Sequence, residues 1–247
     1  MSDFDSSDSD AGSNDFKSEE RTWFGIKVKS SYGFTQWFVI PFLSCGTVIV
    51  GVYMNTQLTY MLQSERMFNI PGDEIGQVTS DLTIYSLPFS MVTTFFVSYL
   101  YEILGRKITL FMSFFLTSII FYILPYTAPN FTYLIIARCL IGVTMSAPLS
   151  HPLIADYIHK KSRGKAIALS GIGFVIGEVL AMGALLQFTK SLSYEDAFAI
   201  TAFIVLIISM FLLYSVKDPD MKKLRNKIDL KIKNSPVKQS EDDKVRV

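Results

Sequence analysis

An all-α, polytopic membrane fold is what this sequence predicts, and three observations carry that reading. Half of the 247 residues are hydrophobic and 14% are aromatic, but only 18% are charged, against about a quarter in a soluble domain of this length. The apolar residues fall into runs long enough to cross a bilayer, which takes about 20 of them. The lysines and arginines are sorted by connection, abundant in every second one and scarce in the others.

Taken in order, the chain begins with the acidic, serine-rich stretch MSDFDSSDSDAGSNDFKSEE. Such a segment cannot bury enough apolar surface to fold. It also lacks the basic-then-apolar order of a cleavable signal peptide. Residues 1–34 are therefore expected to be a disordered tail with a basic juxtamembrane segment. Span 1 is Thr35–Leu62 and span 2 is Leu82–Tyr101, both free of charge. The uncharged run Ile108–Ala137 is too long for one crossing, and the turn signal PYTAPN (Pro125–Asn130) splits it. Span 3 is then Ile108–Leu124 and span 4 is Phe131–Tyr157. Span 5, Ala166–Thr189, is interrupted by Glu178, and span 6 is Ala197–Val216. The bundle is expected over residues 35–216, with a basic tail or linker at 217–247. Met221, Leu224, Ile228, Leu230 and Ile232 give that tail an apolar rhythm. An interfacial helix and a disordered end account for it equally well.

Basic residues collect on the cytoplasmic side of membrane proteins. Lys17, Arg21, Lys27 and Lys29 precede span 1. Arg106 and Lys107 occupy the 2–3 loop, and Lys160, Lys161, Arg163 and Lys165 the 4–5 loop. Lys217, Lys222, Lys223 and Arg225 follow span 6. The other loops carry only Arg66 and Lys190. Both termini are expected in the cytoplasm, as an even number of spans requires. Six buried helices of a soluble protein would not sort charge by loop parity.

Several function classes find no support. Cys45 and Cys139 lie in apolar runs and read as small apolar side chains. There is no phosphate-binding glycine loop, metal-ligand spacing or nucleophile–base pattern. Neither an enzyme, a cofactor nor a nucleic-acid partner is expected.

The break between spans 2 and 3 reads SYLYEILGRKITL, with Ser98, Glu102, Ile103, Gly105, Arg106 and Lys107. It resembles the 2–3 loop signature of the major facilitator superfamily, Gly-x-x-x-Asp-Arg-x-Gly-Arg-Arg/Lys. Gly105, Arg106 and Lys107 match, Glu102 replaces the aspartate conservatively, and Ser98 and Ile103 depart. In that family the acid faces the amino end of a helix in the other half of the transporter and helps to shut the inward gate. A carboxylate is favourable there, and the glycine permits a tight turn. Arg138, Gly142, Asp156 and Arg163–Gly164 resemble the family's span 4 and 4–5 loop in spacing, sugar porters included. Asp156 is expected to pair with Arg163 across the turn and with the basic 2–3 loop, forming a cytoplasmic gate. The resemblance implies one bundle of 3+3 inverted repeats.

Arg138 and Glu178 lie inside the membrane at similar depths. A charge there is costly, so such residues face a cavity or a partner. The two are expected to pair or to face a central cavity, and an arginine at this place is linked with proton-coupled members. Asn55 stands where related porters often carry aspartate. Asn55 and Gln57 can bond a polar substrate or join helices. Gly173 and Gly177 smooth one face of span 5, so a neighbour can approach closely. His151 is either a switch or a neutral, hydrogen-bonded side chain. Asn130-Phe-Thr132 has the N-glycosylation pattern close to the membrane.

The resemblance implies the N-terminal half of a solute transporter, sugars included, working by alternating access. A second six-helix bundle, from a dimer or a missing C-terminal half, is the expected partner beside the lipid bilayer and a small-molecule solute. The alternative is a membrane scaffold that keeps the fold without transport.

Overall fold

A computed structural model describes residues 21–29, 32–149 and 152–218. Among the described residues, six helical segments are long and apolar enough to cross a membrane. Span 1 is α1 (Phe34–Gln63) and span 2 is α2 (Ile75–Ile103). Span 3 is α3 (Gly105–Ile123), extended by a 3-10 turn at Leu124–Thr127. Span 4 comprises α4 (Phe131–Leu149) and the short α5 (Pro152–Tyr157). In span 5, α6 (Arg163–Val179) passes through a π-helical turn at Leu180–Leu185 into α7 (Leu186–Thr189). Span 6 is α8 (Tyr194–Ser215).

These helices match the expected spans closely at most ends. Span 2 differs most: α2 starts at Ile75, seven residues before the apolar run, and carries Asp81 within the added turns. A charge ends an apolar window without ending a helix, because Asp81 needs only a wet side chain at that end. Pro41, Pro88 and Pro148 lie inside helices, which membrane helices tolerate when neighbours satisfy the freed carbonyls.

Packing is pairwise. Span 1 lies on span 5, span 2 on span 4, and span 3 on span 6. Exchanging the first three spans for the last three leaves this pattern unchanged, as an internal 3+3 repeat requires. Hydroxyls cross the seams: Ser44 Oγ meets Ser170 Oγ at 2.6 Å, Ser118 Oγ donates to Ala202 O at 2.6 Å, and Ser209 Oγ donates to Phe111 O at 3.2 Å. Such bonds join helices where no apolar driving force distinguishes neighbour from lipid.

Glycines bring α6 hard against the backbone of α1. A Cβ built on Gly173 falls 2.2 Å from the Pro41 carbonyl oxygen, and one on Gly177 falls 2.6 Å from that of Cys45. The expected smooth face of span 5 is therefore filled by the backbone of span 1. Gly142 is less pressed, since its Cβ would stand 3.5 Å from Ser86 O, an ordinary contact. Gly164 faces open space.

Spans 2 and 5 are the least covered, with 17% and 22% of their apolar windows buried, against 39% or more in the others. Phe95 and Met91 on α2, and Val175 and Val179 on α6, stand exposed.

The juxtamembrane segment, for which the sequence predicts no regular structure, is folded in part. β1 (Arg21–Trp23) and β2 (Ile26–Val28) form an antiparallel hairpin. Its two-residue turn, Phe24 (φ 48°) and Gly25 (φ 75°), has the positive φ pair of a tight hairpin. Phe24 stacks on Trp37 with ring centroids 5.5 Å apart, and Trp23 meets Phe34 at 5.0 Å. The hairpin docks on the 4–5 connection. Val28 bridges Ile158, Lys29 N donates to Tyr157 O at 3.0 Å, and His159 N donates to Lys27 O at 3.1 Å. Lys27 N donates to Ser162 Oγ at 3.2 Å. Gly25→Val places a β-branched residue at a left-handed position, at a cost of about 1–2 kcal/mol. Amide exchange at Lys27 and Lys29 is expected to quicken roughly tenfold or more, while the helices keep their protection.

Candidate functional site

Two groups of predicted residues come together, at different depths. The first lies on the face holding the hairpin, the 2–3 and 4–5 connections and residues 216–218, here termed the terminal face. α2 stops at Ile103 and the chain turns at Gly105, which takes φ 84° and opens α3. The tight turn expected of this glycine is thus present. Arg106 Nε donates to Asp156 Oδ2 at 2.9 Å, an ion pair whose side chains each keep 20% exposure. Arg106 Nη1 also donates to Tyr101 O at 2.8 Å, and the guanidinium lies 5.7 Å from the centre of the Tyr101 ring. Tyr101 is anchored by its hydroxyl, which donates to Ala147 O at 2.7 Å.

Asp156 pairs with the 2–3 loop, as expected, but not with Arg163. Arg163 Nη2 donates instead to Ala155 O at 3.1 Å. Lys29 Nζ donates to the carbonyls of Ala155 (3.0 Å) and Asp156 (2.6 Å). The last carbonyls of α5 thus draw two cations, the favourable sign at a helix C-terminus. Burial pushes the Lys29 ammonium below its ordinary range, the Asp156 charge pulls it back up, and Arg163 adds to the lowering. Burial likewise raises the Tyr32 phenol, helped by Asp156 and Asp218. Glu102 is exposed and has no side-chain partner among the described residues.

Three contributors escaped the sequence reading. Asp218 Oδ1 accepts from Lys107 N at 2.9 Å, so a carboxylate from beyond span 6 caps the start of α3. A Cβ on Gly105 would stand 2.8 Å from that carboxylate. The Tyr157 hydroxyl accepts from Lys217 N at 3.0 Å and lies 2.9 Å from Lys217 O. Lys29 is the third. The signal available was the first acid of KDPD following an apolar run, and nothing in the sequence ties it to α3.

The second group lies at membrane depth on a face the bundle leaves open, where Asn55 is exposed and Arg138 half-buried. Arg138 Nη2 on α4 donates to Asn55 Oδ1 on α1 at 2.8 Å. The other guanidinium donors have no partner among the described residues. The expected Arg138–Glu178 pair does not form, because Glu178 is exposed on α6 and has no side-chain partner among the described residues. Equal depth does not fix rotation: Gly177 faces α1, and the next residue turns about 100° away. Gln57 is separated from Asn55 for the same reason. Two residues on, it sits about 200° round the helix and is buried on the other side, with 4% exposure.

His151 lies outside the described residues, as do residues 1–20 and 219–247. Asn130 is exposed, and its Oδ1 accepts from Thr132 N at 3.1 Å.

Six apolar helices in this packing define a multi-pass integral membrane protein. The family model for the Major Facilitator Superfamily matches residues 32–241, and the chain belongs to that superfamily. It is also similar to "Probable anion transporter 6" of Oryza sativa subsp. japonica, with 23% identity over 139 residues. That alignment covers 54% of this chain and 32% of the rice protein, so the chain spans about a third of that relative's length. No solved structure matches.

Proposed function

We propose that the chain carries the first bundle of an alternating-access transporter for a small organic solute bearing an anionic group. The observation that carries this reading is Arg138, held at membrane depth on an uncovered face by one bond to Asn55, with its remaining donors unused. An intramembrane guanidinium is too costly to keep without a partner or a cavity, and its planar fork suits a carboxylate or phosphate. The name of the rice relative points the same way. Asn55 orients Arg138 without competing as a charge, leaving the cation to the solute.

The uncovered faces of spans 2 and 5 take a second six-helix bundle, and the solute sits between the two. The terminal face looks into the cytosol, where the Arg106–Asp156 pair acts as the inner gate. The exposed Glu102 faces the opposite bundle there.

Uptake of a panel of labelled mono- and dicarboxylates and phosphate esters into proteoliposomes tests this. Saturable uptake is expected only where crosslinking shows a dimer or where a second bundle is supplied. Arg138→Gln is expected to lower it about a hundredfold or more, while the purified variant keeps its elution profile. Robust uptake by a proven monomer defeats the two-bundle reading. Undiminished anion uptake by Arg138→Gln defeats the assignment of the arginine. Loss of assembly in that variant, with no uptake by the native chain, favours the scaffold.

A further inference from the structure

The far face of the bundle, opposite the hairpin, holds a cavity of about 830 Å³ that neither the Arg138 group nor the terminal-face charges touch. It opens where α1 ends, where the turn through Glu65 and Arg66 leaves it, and where α7 passes into α8. Gln57 lines it. This side chain is 4% exposed and makes no hydrogen bond among the described residues. An amide without a protein partner that borders a cavity bonds whatever occupies that cavity. The polar groups just below are satisfied: the Tyr53 hydroxyl donates to Thr189 Oγ1 at 3.0 Å, and Thr189 Oγ1 donates to Leu185 O at 2.9 Å. Tyr194 Oη donates to Tyr60 O at 3.3 Å, tying α8 to α1 beside the cavity. The Gln57 amide, unbonded and open to the cavity, is thus left for a guest, offering both a donor and an acceptor.

The wall also carries four charges, Arg66 and Lys190 against Glu65 and Glu195. Their sum is zero. No ion pair joins any two of them among the described residues, although all four line one cavity. A pure anion or cation would meet as much repulsion as attraction there. A molecule carrying both signs meets a partner for each.

We infer that this cavity binds a zwitterion, its ammonium toward Glu65 and Glu195, its acidic group toward Arg66 and Lys190, and its uncharged polar part on Gln57. The site is separate from Asn55 and Arg138, since Gln57 lies on the other side of α1. Free amino acids have this chemistry, and so does the headgroup of phosphatidylethanolamine in the adjoining leaflet.

Thermal midpoints of the full chain in phosphatidylglycerol nanodiscs test the inference. Four probes are added separately: L-leucine, glycerophosphoethanolamine, choline and acetate. Leucine or glycerophosphoethanolamine is expected to raise the midpoint saturably, and choline and acetate are not. A response to leucine assigns the free amino acid. A response to glycerophosphoethanolamine, reproduced without probe in phosphatidylethanolamine discs, assigns the lipid. Gln57→Leu is expected to weaken apparent affinity at least tenfold. The exposed variants Arg66→Ala and Glu65→Gln are expected to do the same without touching the buried wall. No shift with either zwitterion overturns the inference, as does an equal shift with choline or acetate. Affinity unchanged in both exposed variants overturns it as well.

Discussion

Gly173→Ala is expected to lower the thermal midpoint of the purified protein sharply, although it adds a single methyl group. The obstacle is the Pro41 carbonyl, 2.2 Å from the new Cβ, with the Pro41 Cα at 2.9 Å. Backbone cannot rotate aside as a side chain does, so α1 and α6 must separate. Overpacking of this sort costs about 1–3 kcal/mol, and separation also strains the Ser44–Ser170 bond. Gly177→Ala, at 2.6 Å from Cys45 O, should follow with a smaller loss. Gly173→Val is expected to leave little monodisperse protein by size-exclusion chromatography. Gly171 and Gly183 supply the contrast, because a Cβ on either meets nothing within 4 Å. Their alanine variants should keep the native midpoint. Equal losses at Gly171 and Gly173 would mean that the α1–α6 contact is not what the glycines serve.

The second large effect is expected from Asp156→Asn. The Asp156 carboxylate accepts from Arg106, while Lys29 and Arg163 bond the neighbouring carbonyls. Removing the carboxylate leaves three cations gathered at the end of α5. A fully buried pair broken on one side costs about 3–5 kcal/mol. With each side chain 20% exposed, solvent screening brings the expectation to about 1–3 kcal/mol. Hydrogen exchange should rise roughly tenfold or more across the 2–3 and 4–5 connections and stay flat in the centres of α3 and α8. The exchanged pair, Arg106→Asp with Asp156→Arg, should recover part of the protection. Exchange rates unmoved by Asp156→Asn would remove the ion pair from any role in holding the two connections together.

The six crossings were legible because the bilayer imposes length and apolarity on every one of them. The Gly173 and Gly177 contact was legible as well, since small residues four apart can only make a flat helix face. Rotation about each helix axis was not. Arg138 found Asn55 on α1 rather than Glu178, because three helices present polar groups at a shared depth and hydropathy does not order them round the bundle. The hairpin was hidden by its turn, where Phe24 and Gly25 stand in place of the usual Asn-Gly. Its alternation is also only three residues long on either side. Asp218 was hidden for a different reason: it serves α3 from 111 residues further along the chain.

The pairing of span 1 with span 5 also sets a schedule. The ribosome must add another 132 residues after Pro41 before Gly173 exists to cover it, about 7–26 s at ~5–20 residues per second. The hairpin waits slightly longer for Ser162, which lies 135 residues beyond Lys27. During that interval the nascent first helix lacks its main native neighbour. Chaperoning of its bare groove must come from the insertion machinery or from lipid until the fifth helix is delivered.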